Sequence, residues 1–483
     1  MKNWEVEALM WLEKSLRPFP QELNELDWKL SLSENTARLA QHISAFSNYS
    51  GGGYLVFGVD NGMIIGIADN ECDEILKTLG NIARSNLEPP VVVDHAIKEF
   101  QGKNILFIKI SEAHEKPIHL RQGSIYDSYI RSAGQTRKMD KAEVAHAIAH
   151  SQGLNFEDGI SVTGLHIDEV LKKIDFTSYF DLSERPLPDG NAAIVEALCA
   201  DKLVRKNGSL FDITNLGAIL FAKNIEDFEN VSRKIVRVIL YEGKNRLNTV
   251  KELVLNQGYA VGFESLVGLV NSTLPTNEVI KTVLRTEVKM YPEIAVRELI
   301  ANALIHQDFY IGGTGSMIEI FTDRIEITNP GQPLIDTLRL LDSPPRSRNE
   351  KIAGMMRRFK FCEERGSGID KIVFQSELYQ LPAPDFIKTE SHFRATLFAH
   401  KSLGEMNKED KIRACYLHCC LKYVSGKEKM NNTTLRARFQ IKTTNYPIAS
   451  SIISDTVEAG LIKQHDPKNK SKRYISYVPF WAS

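Results

Sequence analysis

The stretch from Tyr291 to Phe309, YPEIAVRELIANALIHQDF, constrains the fold more than any other part of the chain. Its apolar residues recur at helical spacing. On that pattern Glu298 and Asn302 stand four residues apart, with His306 a further turn along, so three polar groups leave one side of the helix. Taken alone, a carboxylate beside a carboxamide reads as a surface ion pair plus a cap. The sequel argues for more. Two strand-like runs, SMIEIFT and RIEITN, lead to the loop SPPRSRN, the helix KIAGMMRRF and the glycine segment ERGSGIDKI.

A chain of 483 residues is too long for one ordinary domain, and at roughly 100 to 200 residues per domain it holds about three or four. Residues 1–150 alternate helix and strand signals, 151–286 read as a connecting α/β segment, 287–402 contain the helix above, and 406–483 form a separate tail. The fold class is therefore multi-domain, mixed α/β (α+β). A net charge of −1 announces no overall affinity for nucleic acid, so any such binding is local. The six cysteines are sparse and fit reduced thiols better than a disulfide framework. The first helix carries Glu5, Glu7 and Glu13, unlike a secretory signal, and no run of eighteen apolar residues occurs. The expectation is a cytoplasmic protein without a membrane span.

The set Glu298-x-x-x-Asn302, then the Asx-Pro-Gly of DRIEITNPG and the Gly-x-Gly of ERGSGIDKI, resembles the GHKL (Bergerat-fold) ATPases. The likeness is strongest to the divergent ATP-binding modules found beside Schlafen-type domains and covers about residues 287 to 400. It implies a GHKL-type α/β sandwich that binds ATP with Mg²⁺. Asn302 would offer its carbonyl oxygen to Mg²⁺, which prefers oxygen ligands, and Glu298 would orient or deprotonate the attacking water. His306, Asn329, Gly331, Arg346, Arg348, Asn349, Gly366 and Gly368 would line the nucleotide, with PPRSRNEK in a lid. Where many such proteins place an Asp for the adenine amino group, this chain has Asn329, an acceptor without charge.

The triplet Gly51-Gly52-Gly53 lacks the Lys-Ser/Thr of a phosphate loop, so it reads as a helix-to-strand turn that delivers Asp60 to the end of YLVFGVD. With PQELNELDWKLS before it and SYIRSAGQTRKMDKAEV after it, residues 18 to 148 resemble the Schlafen/AlbA-type domain. That likeness implies nucleic-acid binding and, by carry-over from RNA-cleaving Schlafen proteins, a nuclease site. Glu22, Asp27 and Asp60 would hold Mg²⁺ or Mn²⁺, and Lys29 would face the scissile phosphate. The same acids also suit caps and a hairpin turn. Arg131, Arg137, Lys138 and Lys141, with Tyr126 and Tyr129, are candidate nucleic-acid contacts, though such a run alone is usually a solvated face.

From Met406 onward, fourteen Lys and Arg stand against six Asp and Glu, a local charge of about +8. Three helix signals and a basic hairpin resemble a winged helix-turn-helix, with Lys468, Lys470, Lys472 and Arg473 in the wing as phosphate contacts. Its third helix, IASSIISDTVEAG, lacks Arg. Cys415, His418, Cys419 and Cys420 crowd one helix and read as core, since zinc ligands usually come from two segments. Two functions follow as expectations. One is an ATP-regulated nuclease acting on RNA or DNA, serving in defence; the other is an ATP-sensing DNA-binding transcriptional regulator without nuclease activity. The ATPase resemblance further implies a homo-oligomer, formed as an ATP-dependent dimer.

Overall fold

The computed structural model describes residues 3–16, 20–32, 35–132, 134–151, 155–274, 276–281, 284–344, 346–363, 367–389, 391–466 and 475–482. The chain divides into two compact units, Met1–Asn155 and Phe156–Ser483.

In the first unit the strands Leu26–Lys29, Gly53–Phe57, Lys103–Ile110 and Val93–Phe100 lie side by side in that order, the first pair parallel and the others antiparallel. Side chains alternate across a strand, and here both faces are apolar. Tyr54 and Val56 pack with Leu26 under helix α1 (Asn3–Leu16), while Leu55 and Phe57 pack under α2 (Thr36–Asn48) and α3 (Asp69–Ser85). The register pairs Leu26 with Tyr54 and Asp27 with Leu55. Asp27 is therefore turned toward α2, away from solvent. The glycines ahead of the second strand make the turn expected of them: Gly52 has φ +73°, and a Cβ there would overlap the carbonyl oxygen of Ile110. A hairpin of Tyr129–Ser132 with Gln135–Lys138 and helix α4 (Lys141–Ser151) complete the unit.

The second unit starts with a three-stranded sheet, Ile160–Leu165, Leu210–Thr214 and Val204–Asn207, accompanied by four short helices. These are α5 (Ile167–Lys173), α6 (Phe176–Leu182), α7 (Asn191–Ala200) and α8 (Asn215–Phe221). Its centre is a six-stranded sheet in the order Thr249–Leu255, Val236–Tyr241, Met317–Ile320, Arg324–Pro330, His392–Phe398, Asp385–Lys388. Helices α9 (Tyr259–Thr273), α10 (Glu293–Ile305), α11 (Glu350–Arg358) and α12 (Gly368–Leu378) share a core with it. That core runs without a break from Leu165 to Ala399. Val236–Tyr241 pairs in parallel with Met317–Ile320, so a boundary at 286/287 cuts through one sheet. The connecting segment is thus part of the same folded body.

Three more helices follow: α13 (Lys408–Gly426), α14 (Asn432–Arg438) and α15 (Tyr446–Glu458). The short pair Ile462–Gln464 and Tyr477–Pro479 closes them, the helix and hairpin order of a winged helix. Cys415, Cys419, Cys420 and His418 are all buried here, inside a second core of the unit. Among the described residues no helix is long and apolar enough to cross a membrane.

Candidate functional site

In the second unit a cavity of about 690 Å³ opens between α10, the segment leading to α11, the start of α12 and the strands Arg324–Pro330 and His392–Phe398. That size suits a small-molecule ligand. Glu298, Asn302, His306, Asn329, Gly331, Arg346, Arg348 and Gly368 all line it. Gly366 lies outside the described residues. Asn349 does not line the cavity. It is buried, and its Nδ2 donates to the carbonyl oxygens of Ile305 at 2.7 Å and Gln307 at 2.8 Å, tying the end of α10 to the start of α11. Its expected ligand contact is corrected to a positioning one, because its amide donors are already spent on backbone.

Glu298 is neither a surface ion pair nor a cap. Its exposure is 7%, and among the described residues it makes no hydrogen bond. The neighbouring Arg297 turns away to a two-pronged pair with Glu264 at 2.6 and 2.9 Å. Burial raises the pKa of Glu298 above the ordinary carboxylate range, against the pull of Lys371 and Arg297. Gly368 begins α12 right beside it: a Cβ there would sit 2.8 Å from Glu298 Oε2. Gly331, at φ +99°, has no room for a side chain either, since a Cβ would meet Asp308 and Arg348.

His306 keeps surface facing the cavity, while protein packed around it desolvates its charged form. That desolvation, with the charges of Arg348 and Arg357, pushes its pKa down to about 4. It is therefore neutral at pH 7. Asn329 is 3% exposed, and its Nδ2 donates to the carbonyl oxygen of Pro330 at 3.3 Å, leaving the amide oxygen as the acceptor. Sequence reasoning missed other wall residues, notably Arg357, Cys362 and Phe393. Arg357, in the basic end of MMRRF, carried a readable signal as a third cation near Arg346 and Arg348. Cys362 and Phe393 carried none.

The expected acidic site of the first unit is built otherwise. Asp27 is fully buried, and Arg131 Nη1 donates to it at 2.6 Å, His42 Nδ1 lies 3.1 Å away, and Lys29 is paired with it as well. Burial opposes its charge, but the hydrogen bond from His42 and the charges of Lys29 and Arg131 hold its pKa well below the usual range. Glu22 shows the reverse: burial and then the Asp27 charge push it up to about 7. Asp60 accepts from Asn61 Nδ2 at 3.0 Å. Among the described residues no group of three or more His, Cys, Asp or Glu side chains is arranged for a metal ion. The expected Glu22, Asp27 and Asp60 metal cluster is thus corrected: Asp27 is held by protein cations, and Glu22 beside it has its charged form disfavoured.

Arg131 also loses its expected place at nucleic acid. It is 2% exposed, and its guanidinium serves Asp27, Thr136 and the carbonyls of Leu23 and Gly134. Arg137 and Lys138 are exposed, the first paired with Glu143 and the second with Asp127. In the C-terminal helices the exposed positions of α15, among them Tyr446, Ile448 and Val457, carry no Lys or Arg. Lys468, Lys470, Lys472 and Arg473 lie outside the described residues.

Comparison with known proteins finds two family matches along the chain. Residues 22–140 match the family "Schlafen, AlbA_2", and residues 313–397 match the family "Putative ATP-dependent DNA helicase recG C-terminal". The chain therefore joins a Schlafen/AlbA_2-type module to an ATPase-type module, which supports an ATP-dependent, nucleic-acid-binding protein. The second match begins after α10, so Glu298, Asn302 and His306 lie outside it. The solved structure of the DIP2311 protein from Corynebacterium diphtheriae aligns over 98% of this chain and 97% of that one, at 16% identity and a TM-score of 0.42. No curated protein matches.

The residues present fit ATP and Mg²⁺. Gly331 and Gly368 let the wall pack closely against Asp308, Arg348 and Glu298, where a side chain would collide, and Asn302 at the same wall carries the neutral oxygen donor that Mg²⁺ accepts. The described residues offer no comparable donor set for Mn²⁺ in the first unit.

Proposed function

We propose that this protein binds Mg-ATP in the cavity of its second unit and uses the nucleotide to set how it engages nucleic acid. The observation that carries this reading is the meeting of Glu298, Asn302 and Gly368 at one cavity wall. Bound Mg²⁺ would neutralise phosphate charge. Asn302 would ligate the ion, and Arg346, Arg348 and Arg357 would meet the phosphates. Glu298, desolvated and basic, would take a proton from water. Asn329 would accept from the base through its amide oxygen.

Calorimetry with Mg-ATP tests this: the wild type binds, and Asn302→Ala binds at least about tenfold more weakly. A wild type that takes up no Mg-ATP overturns it. Filter binding of DNA and RNA with and without ATP then reads the nucleic-acid part, with affinity falling as salt rises. The regulator reading is favoured over the nuclease because Arg131, His42 and Lys29 already satisfy Asp27.

A second reading, cleavage, is favoured by one observation: Glu22, with a pKa of about 7, stands 3.6 Å from Lys29 at a half-exposed spot. An acid and base group beside a cation is what phosphodiester cleavage needs. Loss of RNA or DNA cutting in Glu22→Gln supports this reading, and no cutting by the wild type removes it.

A further inference from the structure

We propose that the C-terminal helices are the clasp of the cavity, so that nucleotide binding and movement of α13 are one event; this rests on the nucleotide reading above. Two walls of the cavity are also part of the C-terminal core. The first is α12. Its start, Gly368 and Ile369, lines the cavity, and Ile369 packs against both the large core and the C-terminal one. One turn on, Val373 is buried in the C-terminal core. At the far end Glu377 accepts from His418 Nδ1 at 3.0 Å and stands 3.5 Å from Arg438 Nε. At about 1.5 Å per residue, the eleven residues of α12 form a rod of roughly 16 Å gripped at both ends.

The second wall is the segment before α11. Leu340 and Ser343 line the cavity, while Leu341, between them, is buried with the C-terminal helices. The hydroxyl of Tyr416 on α13 donates to the carbonyl oxygen of Leu338, and Trp481 Nε1 donates to that hydroxyl at 3.1 Å. Packed interiors transmit displacement instead of absorbing it. The segment cannot close or open over a ligand with Leu341 and the Tyr416 bond in place unless α13 follows, which is the two-state element that coupling between sites requires. Any ligand of the C-terminal helices therefore changes nucleotide affinity, and by linkage the reverse holds.

Hydrogen exchange on the full chain, with and without Mg-ATP, tests this while calorimetry follows binding in parallel. Exchange is expected to slow in 334–343 and in α13 with the same ATP midpoint. Tyr416→Phe is expected to abolish the α13 response and shift ATP affinity about fivefold, with Glu377→Gln as the second variant should the first fail to fold. If calorimetry shows binding and 334–343 slow while α13 is unchanged, the clasp is overturned and the nucleotide site stands. If calorimetry shows no binding, both fall together.

Discussion

Arg131 Nη1 donates to Asp27 Oδ2 at 2.6 Å, with neither side chain reaching solvent. Breaking a buried pair costs about 3–5 kcal/mol when it orphans the charge, and His42 and Lys29, which stay beside Asp27, set that figure as the upper bound. Arg131→Met is therefore expected to destabilise the first unit by up to about that amount. Urea unfolding followed through Trp28, which donates to Ser15 in the same unit, reads it. The double change Asp27→Asn with Arg131→Met should cost less than the two single losses added. An Arg131→Met protein of wild-type stability with weakened nucleic-acid binding would return Arg131 to the surface role.

Glu22 predicts a pH dependence of the opposite sign from that of Asp27. Its folded pKa, about 7, lies above its unfolded value near 4.5, so the folded unit binds the extra proton between those limits. Its stabilising contribution is full below about 4.5 and is lost as pH rises through 7. The urea midpoint of Glu22→Gln should change less across that window than the wild type. Equal slopes would dismiss the raised pKa.

Glu298 has its pKa raised by burial, so its ionised form gains population at a higher pH than that of an exposed carboxylate. Phosphate release from ATP should rise with pH along a limb displaced upward from about 4.3. Glu298→Gln should remove that limb and lower kcat by about 10²-fold or more while Kd stays nearly constant. An unchanged rate would assign proton transfer elsewhere.

Asn329→Asp converts a neutral acceptor into a charged one. Charged hydrogen bonds exceed neutral ones by about 1 kcal/mol, so preference for ATP over GTP should grow about fivefold in competition binding. The same change removes the donor to Pro330 and lowers the stability of the ligand-free protein. No gain in selectivity would mean that Asn329 does not face the base.

Asn349→Ala deletes two buried hydrogen bonds, and at roughly 0.5–1.5 kcal/mol each the second unit should lose about 1–3 kcal/mol. Nucleotide affinity should fall with it, because the end of α10 and the start of α11 both carry wall residues. Thermal unfolding with and without Mg-ATP separates the two effects.

The sequence showed α10 and the strands Met317–Ile320 and Arg324–Pro330 because their periodicity is local: all three lie where the apolar pattern points. The cavity walls were legible for the same reason, since Glu298 and Asn302 are one turn apart on a single helix. What escaped was tertiary. Leu26–Lys29 is only four residues long, and the burial of Asp27 depends on its register against Leu55 and on His42 and Arg131, far away in sequence. Arg131 looked like a surface cation because nothing near it in sequence names its partner. Val93–Phe100, half-exposed and mixed in character, also left no clear local signal.

The six-stranded sheet decides how the chain can be divided. Two of its strands, Val236–Tyr241 and Thr249–Leu255, precede α10, and the family match at 313–397 holds only the other four. A fragment cut at the match would expose the parallel edge of Met317–Ile320 and would lack the helix bearing Glu298 and Asn302. Such a piece would present an unpaired strand edge, a ready template for aggregation, without the wall that Glu298 and Asn302 supply. The compact unit that holds the whole sheet and the cavity runs from Phe156 to Ser483.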